Sequence, residues 1–399
     1  MTRTSRALAG ALAGAALAAA AAPQALAEDA VKIGYVTTLT TPAAVIGEDM
    51  KTAVELALKH MDGQMGGAPV EVLFEDDGFK PEIGKQKADK LVKQDDVDIV
   101  AGFIWSHVLL ASSKTVLDSG KILISSNAGP SRLAGKGCHP NFFNVSWQND
   151  QTPMALGEVL NKNGVGSVYV MAPNYAAGKN MVSGVERTYA GEIKGKDLTK
   201  WGKDAQLDFS AELAKAKASG AEALWAFYPG KAGPAFMKQF QDAGLGESMK
   251  LFTTFTVDGL SLPRLQQAKL EGVIGSQFTQ SWAPDIDTPE NARFVAEFLA
   301  ETGRDPSFYA AQAYDTMFFI KAAVEAAGGV GDVDKLREAM RAVTYLPTRG
   351  TVAVGANHFP VQDFYLREVV VGEDGRWTSK IVDKVYTAHV DPYAGECAF

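Results

Sequence analysis

The sequence predicts an α/β protein of two lobes, each a largely parallel sheet covered by helices. Three observations carry that expectation. Short β runs alternate with amphipathic helical stretches from Val31 onward, the alternation pauses near Asn144 to Asp150, and it then begins again. A chain of 399 residues also exceeds what one hydrophobic core organises, roughly 250 to 300 residues.

Val31 to Val36 reads as a buried strand, and Ile46, Met50, Val54, Leu58 and Met61 then recur at helical spacing. Val70 to Phe74, Asp98 to Ala101 and Ile122 to Ile124 follow as strands. Between them lie a Lys-rich helix opening at Pro81 and a second helix from about Val108 to Asp118. After the pause, the helices Pro153–Leu160, Lys179–Thr188, Ser210–Ala218 and Pro234–Ala243 alternate with the strands Val168–Met171, Ala223–Phe227 and Leu251–Thr253. Val273 to Gln277 continues the series. The next helix is punctuated at both ends: Thr288 caps it, Pro289 takes its first position and Gly303 ends it. Tyr309–Ala326 and Asp334–Ala342 read as helices, and Phe364–Val371 with Trp377–Tyr386 reads as a hairpin.

A 46% hydrophobic content excludes a disordered chain and a polytopic membrane bundle alike. The net charge of -8, with no long Lys/Arg run, argues against a nucleic-acid partner. Residues 1–27 read as a secretory signal peptide: Arg3 and Arg6, an unbroken run of Ala, Leu and Gly from Ala7 to Ala22, and Ala25-Leu26-Ala27 before Glu28. Export into an oxidising compartment and an even cysteine count predict a disulfide between Cys138 and Cys397.

The motifs of catalysis are missing. His60, His107, His139, His358 and His389 are scattered, with neither H-E-x-x-H nor C-x-x-C, so no metal is expected. No G-x-S-x-G occurs, and Gly135-Lys136 lacks the spacing and the following Ser or Thr of a phosphate loop. An enzyme is not expected, and no cofactor is expected.

Ligands of open α/β sheets bind beyond the carboxyl ends of the strands, and the segments there have an unusual composition. They include Thr41, Trp105, Ser106, Asn127-Ala128-Gly129, Tyr175, Tyr228 and Asp258. Hydroxyls and helix N-termini satisfy a carboxylate without a counter-cation, while Trp105, Tyr175 and Tyr228 enclose an apolar body. Structural readings stand beside these: Ser106 and Asn127 suit caps or turns, Trp105 suits a core, and Asp258 suits a turn.

At these residues the sequence resembles the type I periplasmic solute-binding proteins of ABC importers, in the branch that includes the leucine/isoleucine/valine-binding protein. The likeness runs from Val31 to Tyr386. It rests on Ile33-Gly34, Thr41-Pro42, Gly47, Gly102 with Ser106, Ile124-Ser125 to Gly129, Phe142-Phe143 to Gln151, Asn174 to Gly178, Gln312 to Asp315, and Phe359-Pro360 to Leu366. The resemblance implies two Rossmann-like lobes joined by a three-crossing hinge, with crossings near Asn144–Gln148, Gly275–Phe278 and Arg349–Val352. Lobe 1 is then 28–145 plus 277–350, and lobe 2 is 146–276 plus 351–399. By the same resemblance Ser106 holds a substrate carboxylate aided by Asn127 and Gly129, Tyr175 closes over the ligand, and Asp258 receives an ammonium group. Gly129 stands where amino-acid binders carry a hydroxyl, and Ile46 stands where an aromatic often packs on the ligand. Asn127-Ala128-Gly129, Tyr175 to Gly178 and Met181 to Gly184 look more like members that bind hydroxybenzoates. The resemblance therefore implies a periplasmic monomer that carries a small carboxylate to an inner-membrane ABC permease. An aromatic acid ranks first, a branched-chain amino acid second, and a sensor for a membrane receptor is the other role.

Overall fold

A computed structural model describes Met1, Thr2 and residues 30–202 and 205–399. The expected signal peptide lies outside the described residues apart from its first two.

The first sheet runs in the order Gln64–Met65, Ala68–Asp76, Val31–Thr37, Ile99–Gly102, Ile122–Ser125, Phe142–Asn144. All neighbours are parallel except the short edge pair Gln64–Met65 with Ala68–Asp76. Parallel neighbours need crossovers, and the helices Ala44–His60, Pro81–Lys93 and Ser106–Asp118 supply them. Because both faces are covered, the strands Ile99–Gly102 and Ile122–Ser125 are buried at every position.

The second sheet runs Ala353–Val354, Pro360–Val371, Gln277–Gln280, Lys250–Thr254, Ala223–Phe227, Ser167–Pro173, Glu192–Thr199, and Trp377–His389 pairs with Pro360–Val371. The expected hairpin forms, antiparallel and longer than its sequence pattern. The edge strand Glu192–Thr199 was not expected. Its sequence EIKGKDLT carries charges on an exposed edge, which protects it from edge-to-edge pairing and hides the strand pattern.

Helix punctuation follows the sequence. Thr288 Oγ1 accepts from Asn291 N at 3.1 Å, Pro289 opens Pro289–Thr302, and Gly303 closes it at φ 73°. Phe308–Ala327 packs between Ala44–His60 and Val333–Arg341, so the segment after the second sheet returns to the first lobe.

The crossings correct the expected boundaries. Gln277–Gln280 pairs with Lys250–Thr254 on one side and Pro360–Val371 on the other. These four residues therefore belong to the second lobe, and the second crossing comes after Gln280 rather than at 276/277. The end of the chain leaves the second lobe as well. Cys397 is bonded to Cys138, His358 Nδ1 lies 3.1 Å from Phe142 O, and the Phe399 ring sits 4.7 Å from that of His358.

Candidate functional site

Between the carboxyl ends of the two sheets lies a narrow pocket of about 20 Å³, room for about one water molecule. One lobe contributes Ile104, Trp105, Ser106, Asn127 and Ala128, the other Tyr175, Ala177, Met181, Phe227, Pro229 and Phe255. Trp147 and Asn149 enter from the first crossing and Tyr309 from the long helix Phe308–Ala327. None of these lining residues carries a formal charge.

Ser106, Asn127 and Asn149 supply the pocket's aliphatic hydroxyl and amide side chains. Ser106 is the first residue of Ser106–Asp118, so the helix N-terminus and its unpaired N–H groups favour a negative group there. Its Oγ accepts from Asn149 Nδ2 at 3.1 Å, which leaves the hydroxyl proton to donate. Asn127 Nδ2 donates to Ile104 O at 2.7 Å, while its Oδ1 is buried without a partner. Trp105 Nε1 donates to Thr38 Oγ1 at 2.8 Å, and Thr38 Oγ1 donates to Asp77 Oδ1 at 2.6 Å. Burial pushes the Asp77 carboxyl up to about 6.

Aromatic rings make up much of the remaining wall, beside Ile104, Ala128, Ala177, Met181 and Pro229. Tyr175 stacks on Trp201 at 5.0 Å and 17°, and lies near-parallel to Phe227 at 6.3 Å. Phe255 lies 4.7 Å from both Trp147 and Phe308. Its φ of 51° is a left-handed value that a bulky residue adopts only when its surroundings impose it, here at the end of Lys250–Thr254. His107 meets Tyr175 across the cleft at 5.5 Å, and burial holds the imidazole down at about 4. Outward of the pocket, a mainly apolar chamber of about 330 Å³ shares Trp105 and is lined also by Thr41, Phe79, Trp201 and Leu207.

Of the residues expected at the ligand, Trp105, Ser106, Asn127, Ala128 and Tyr175 line the pocket. Thr41 lines the outer chamber only. Ile46 is fully buried, with its tip beside Gly230, outside the pocket. Gly129 N is already donated to Asn149 Oδ1 at 3.1 Å, and a Cβ there would meet Trp147 O at 1.9 Å, so the position is closed to a hydroxyl side chain. Tyr228 faces the second lobe's own core: its ring lies 4.5 Å from Phe209, and its hydroxyl takes the Thr199 Oγ1 proton at 3.2 Å. Alternation along the chain puts its neighbour Phe227 in the pocket instead. Asp258 folds back to accept from Leu260 N and Ser261 N, each at 2.9 Å, and lines a different cavity. Trp147, Asn149, Phe255 and Tyr309 line the pocket without being expected there, although Trp147 lies in the crossing that the resemblance implies, Asn149 directly follows it, and Phe255 follows an expected strand.

The periplasmic binding protein profile matches residues 30–376, most of the chain. The chain belongs to the periplasmic binding protein family. This periplasmic binding protein is 29% identical over 364 residues to the Leu/Ile/Val-binding protein homolog 6 of Brucella abortus, covering 88% of this chain and 90% of that one. It is similar to the R. palustris solute-binding protein of an ABC transporter solved in complex with benzoate, with TM-score 0.84, 27% identity and coverage of 93% and 100%. A Rhodopseudomonas palustris BisB5 solute-binding protein in complex with 3,4-dihydroxybenzoic acid superposes with TM-score 0.84 at 26% identity, covering 92% of this chain and 99% of that one. The fold is accordingly that of type I solute-binding proteins, and the protein is a non-enzymatic solute-binding component of an ABC transporter. Among the described residues no helix is long and apolar enough to cross a membrane.

Proposed function

We propose that this periplasmic binding protein captures an aromatic carboxylate, benzoate or a hydroxybenzoate, between its lobes for delivery to the permease. The observation that carries the reading is an interlobe pocket walled by aromatic rings with no acid among its lining residues. A carboxylate is met by the Ser106 hydroxyl and the N-terminus of its helix; an amino acid's ammonium would find no counter-charge there. The ring lies among Tyr175, Phe227, Phe255 and Trp147, and the unpartnered Asn127 Oδ1 accepts from a ligand hydroxyl. Entry of a ring requires the lobes to part about the three crossings and close again, and the closed form is what the permease reads. The relatives solved with benzoate and dihydroxybenzoate support this choice of ligand.

A second reading, an aliphatic amino acid, is favoured by the names of the Leu/Ile/Val-binding relatives. A thermal-shift panel of benzoate and its mono- and dihydroxy derivatives tests the first. Ligand at about 100 times its dissociation constant adds roughly 2.7 kcal/mol of stability, a readable rise in melting temperature. A flat response to every aromatic acid would overturn the proposal.

A further inference from the structure

The transport site leaves one buried cation unused. Arg367, in the strand Pro360–Val371, is 5% exposed, and its guanidinium lies over the rings of Phe278 at 5.0 Å and Trp282 at 5.7 Å. Nη1 donates to Trp282 O at 3.1 Å and Nη2 to Ser379 Oγ, both neutral acceptors, while Nε has no partner. Among the described residues no carboxylate lies within ion-pair distance of it. Its arginine neighbours differ: Arg304 is paired with Asp49, and Arg376 with Asp305 and Asp374. Stripping a guanidinium of water without an anion in contact is costly, and burial lowers the Arg367 pKa to about 10 against the more distant pull of Asp285, Asp258 and Asp305.

Arg367 lines a cavity of about 330 Å³ that also holds Asp258. Asp258 is 5% exposed; its Oδ1 receives the two amides of its own turn, and its Oδ2 accepts no hydrogen bond among the described residues. Burial pushes this carboxyl up to about 6. Five charged residues line the cavity, and Arg304, Arg376 and Asp305 are neutralised by the pairs just named. What remains is one positive group at Arg367 and one negative group at Asp258, with Leu262, Trp282, Phe308 and Trp377 as apolar wall.

We propose that this cavity is a second ligand site, distinct from the interlobe pocket, that takes a zwitterionic amino acid with its carboxylate on Arg367 and its ammonium on Asp258. A simple anion satisfies Arg367 but sets a second negative charge near Asp258; a zwitterion satisfies both groups, and its side chain rests on the apolar wall. The two sites share no lining residue.

Calorimetric titration of the purified protein with the protein amino acids tests this, using Arg367→Gln, Asp258→Asn and Tyr175→Ala alongside wild type. At least one amino acid binds wild type; Arg367→Gln and Asp258→Asn each weaken that binding about tenfold or more, and Tyr175→Ala leaves it within about twofold. Asp258→Asn keeps the Oδ1 acceptor for the Leu260 and Ser261 amides, so it carries the test if melting by circular dichroism shows that Arg367→Gln does not fold. Absence of amino-acid binding to wild type overturns the proposal. So does binding that Tyr175→Ala abolishes and Asp258→Asn retains, which would move the amino acid to the interlobe pocket.

Discussion

Arg349 and Asp315 join the hinge to the first lobe: Arg349 Nε lies 2.8 Å from Asp315 Oδ2, with both residues buried. The same guanidinium donates to Val145 O at 2.6 Å and to Gln362 Oε1 at 2.7 Å, so one side chain in the third crossing binds the first crossing and the strand beyond it. Burial raises the Asp315 pKa against the pull of Arg349, and Thr348 donates to the carboxylate from both N and Oγ1.

Removing one partner of this pair strands a buried charge. Arg349→Met is expected to cost about 3–5 kcal/mol in chemical denaturation. Adding Asp315→Asn should recover part of that loss, because the stranded charge goes with it. A cost below about 1 kcal/mol for the single variant would show that the pair does not hold the crossings together.

Tyr175→Ala removes the ring stacked on Trp201 and facing Phe227, all at the cleft. Tyr175 is only half-buried, so folding should survive, while affinity for an aromatic acid should fall roughly tenfold. Unchanged affinity by calorimetry would remove Tyr175 from the site.

His107 makes stability depend on pH. Its folded-state pKa is about 4 against an ordinary 6.5, because burial disfavours the charged ring. Between those values the unfolded chain binds the proton and the folded chain does not, so this group's contribution falls as pH drops from 6.5 towards 4. Asp77, raised to about 6, acts in the opposite sense over the acid range. The His107→Gln variant should therefore lose about 3 kcal/mol less than wild type on acidification to pH 4. Parallel stability curves for the two proteins would contradict the assignment.

Gly129→Ser asks whether a hydroxyl restored at that position rebuilds an amino-acid clamp. The added Cβ would meet Trp147 O at 1.9 Å, so the variant should lose about 1–3 kcal/mol of stability and gain no leucine affinity. A stable variant with new leucine binding would show that the backbone there yields.

The two-sheet architecture was legible because buried parallel strands and crossover helices leave long periodic patterns, as in Val31–Thr37 and Ala44–His60. Glu192–Thr199 was not, since an exposed edge strand is written in charged residues. At the site, Ser106 and Asn127 were readable as polar residues at strand ends. Phe227 and Tyr228 were not separable, because which of two adjacent aromatics faces the cleft depends on sheet orientation. Tyr309 reaches the pocket from a helix some 180 residues after Asn127, a juxtaposition created when the second crossing returns the chain to the first lobe. Asp258 was read as a ligand group of the cleft; the turn through Leu260 and Ser261 points it to the neighbouring cavity instead.

A crystal structure of the protein with 4-hydroxybenzoate tests the central claim most directly. The account predicts the ring among Tyr175, Phe227 and Phe255, with the carboxylate within hydrogen-bond distance of Ser106 Oγ. A ring lodged elsewhere, or a carboxylate held by Arg367, would contradict it.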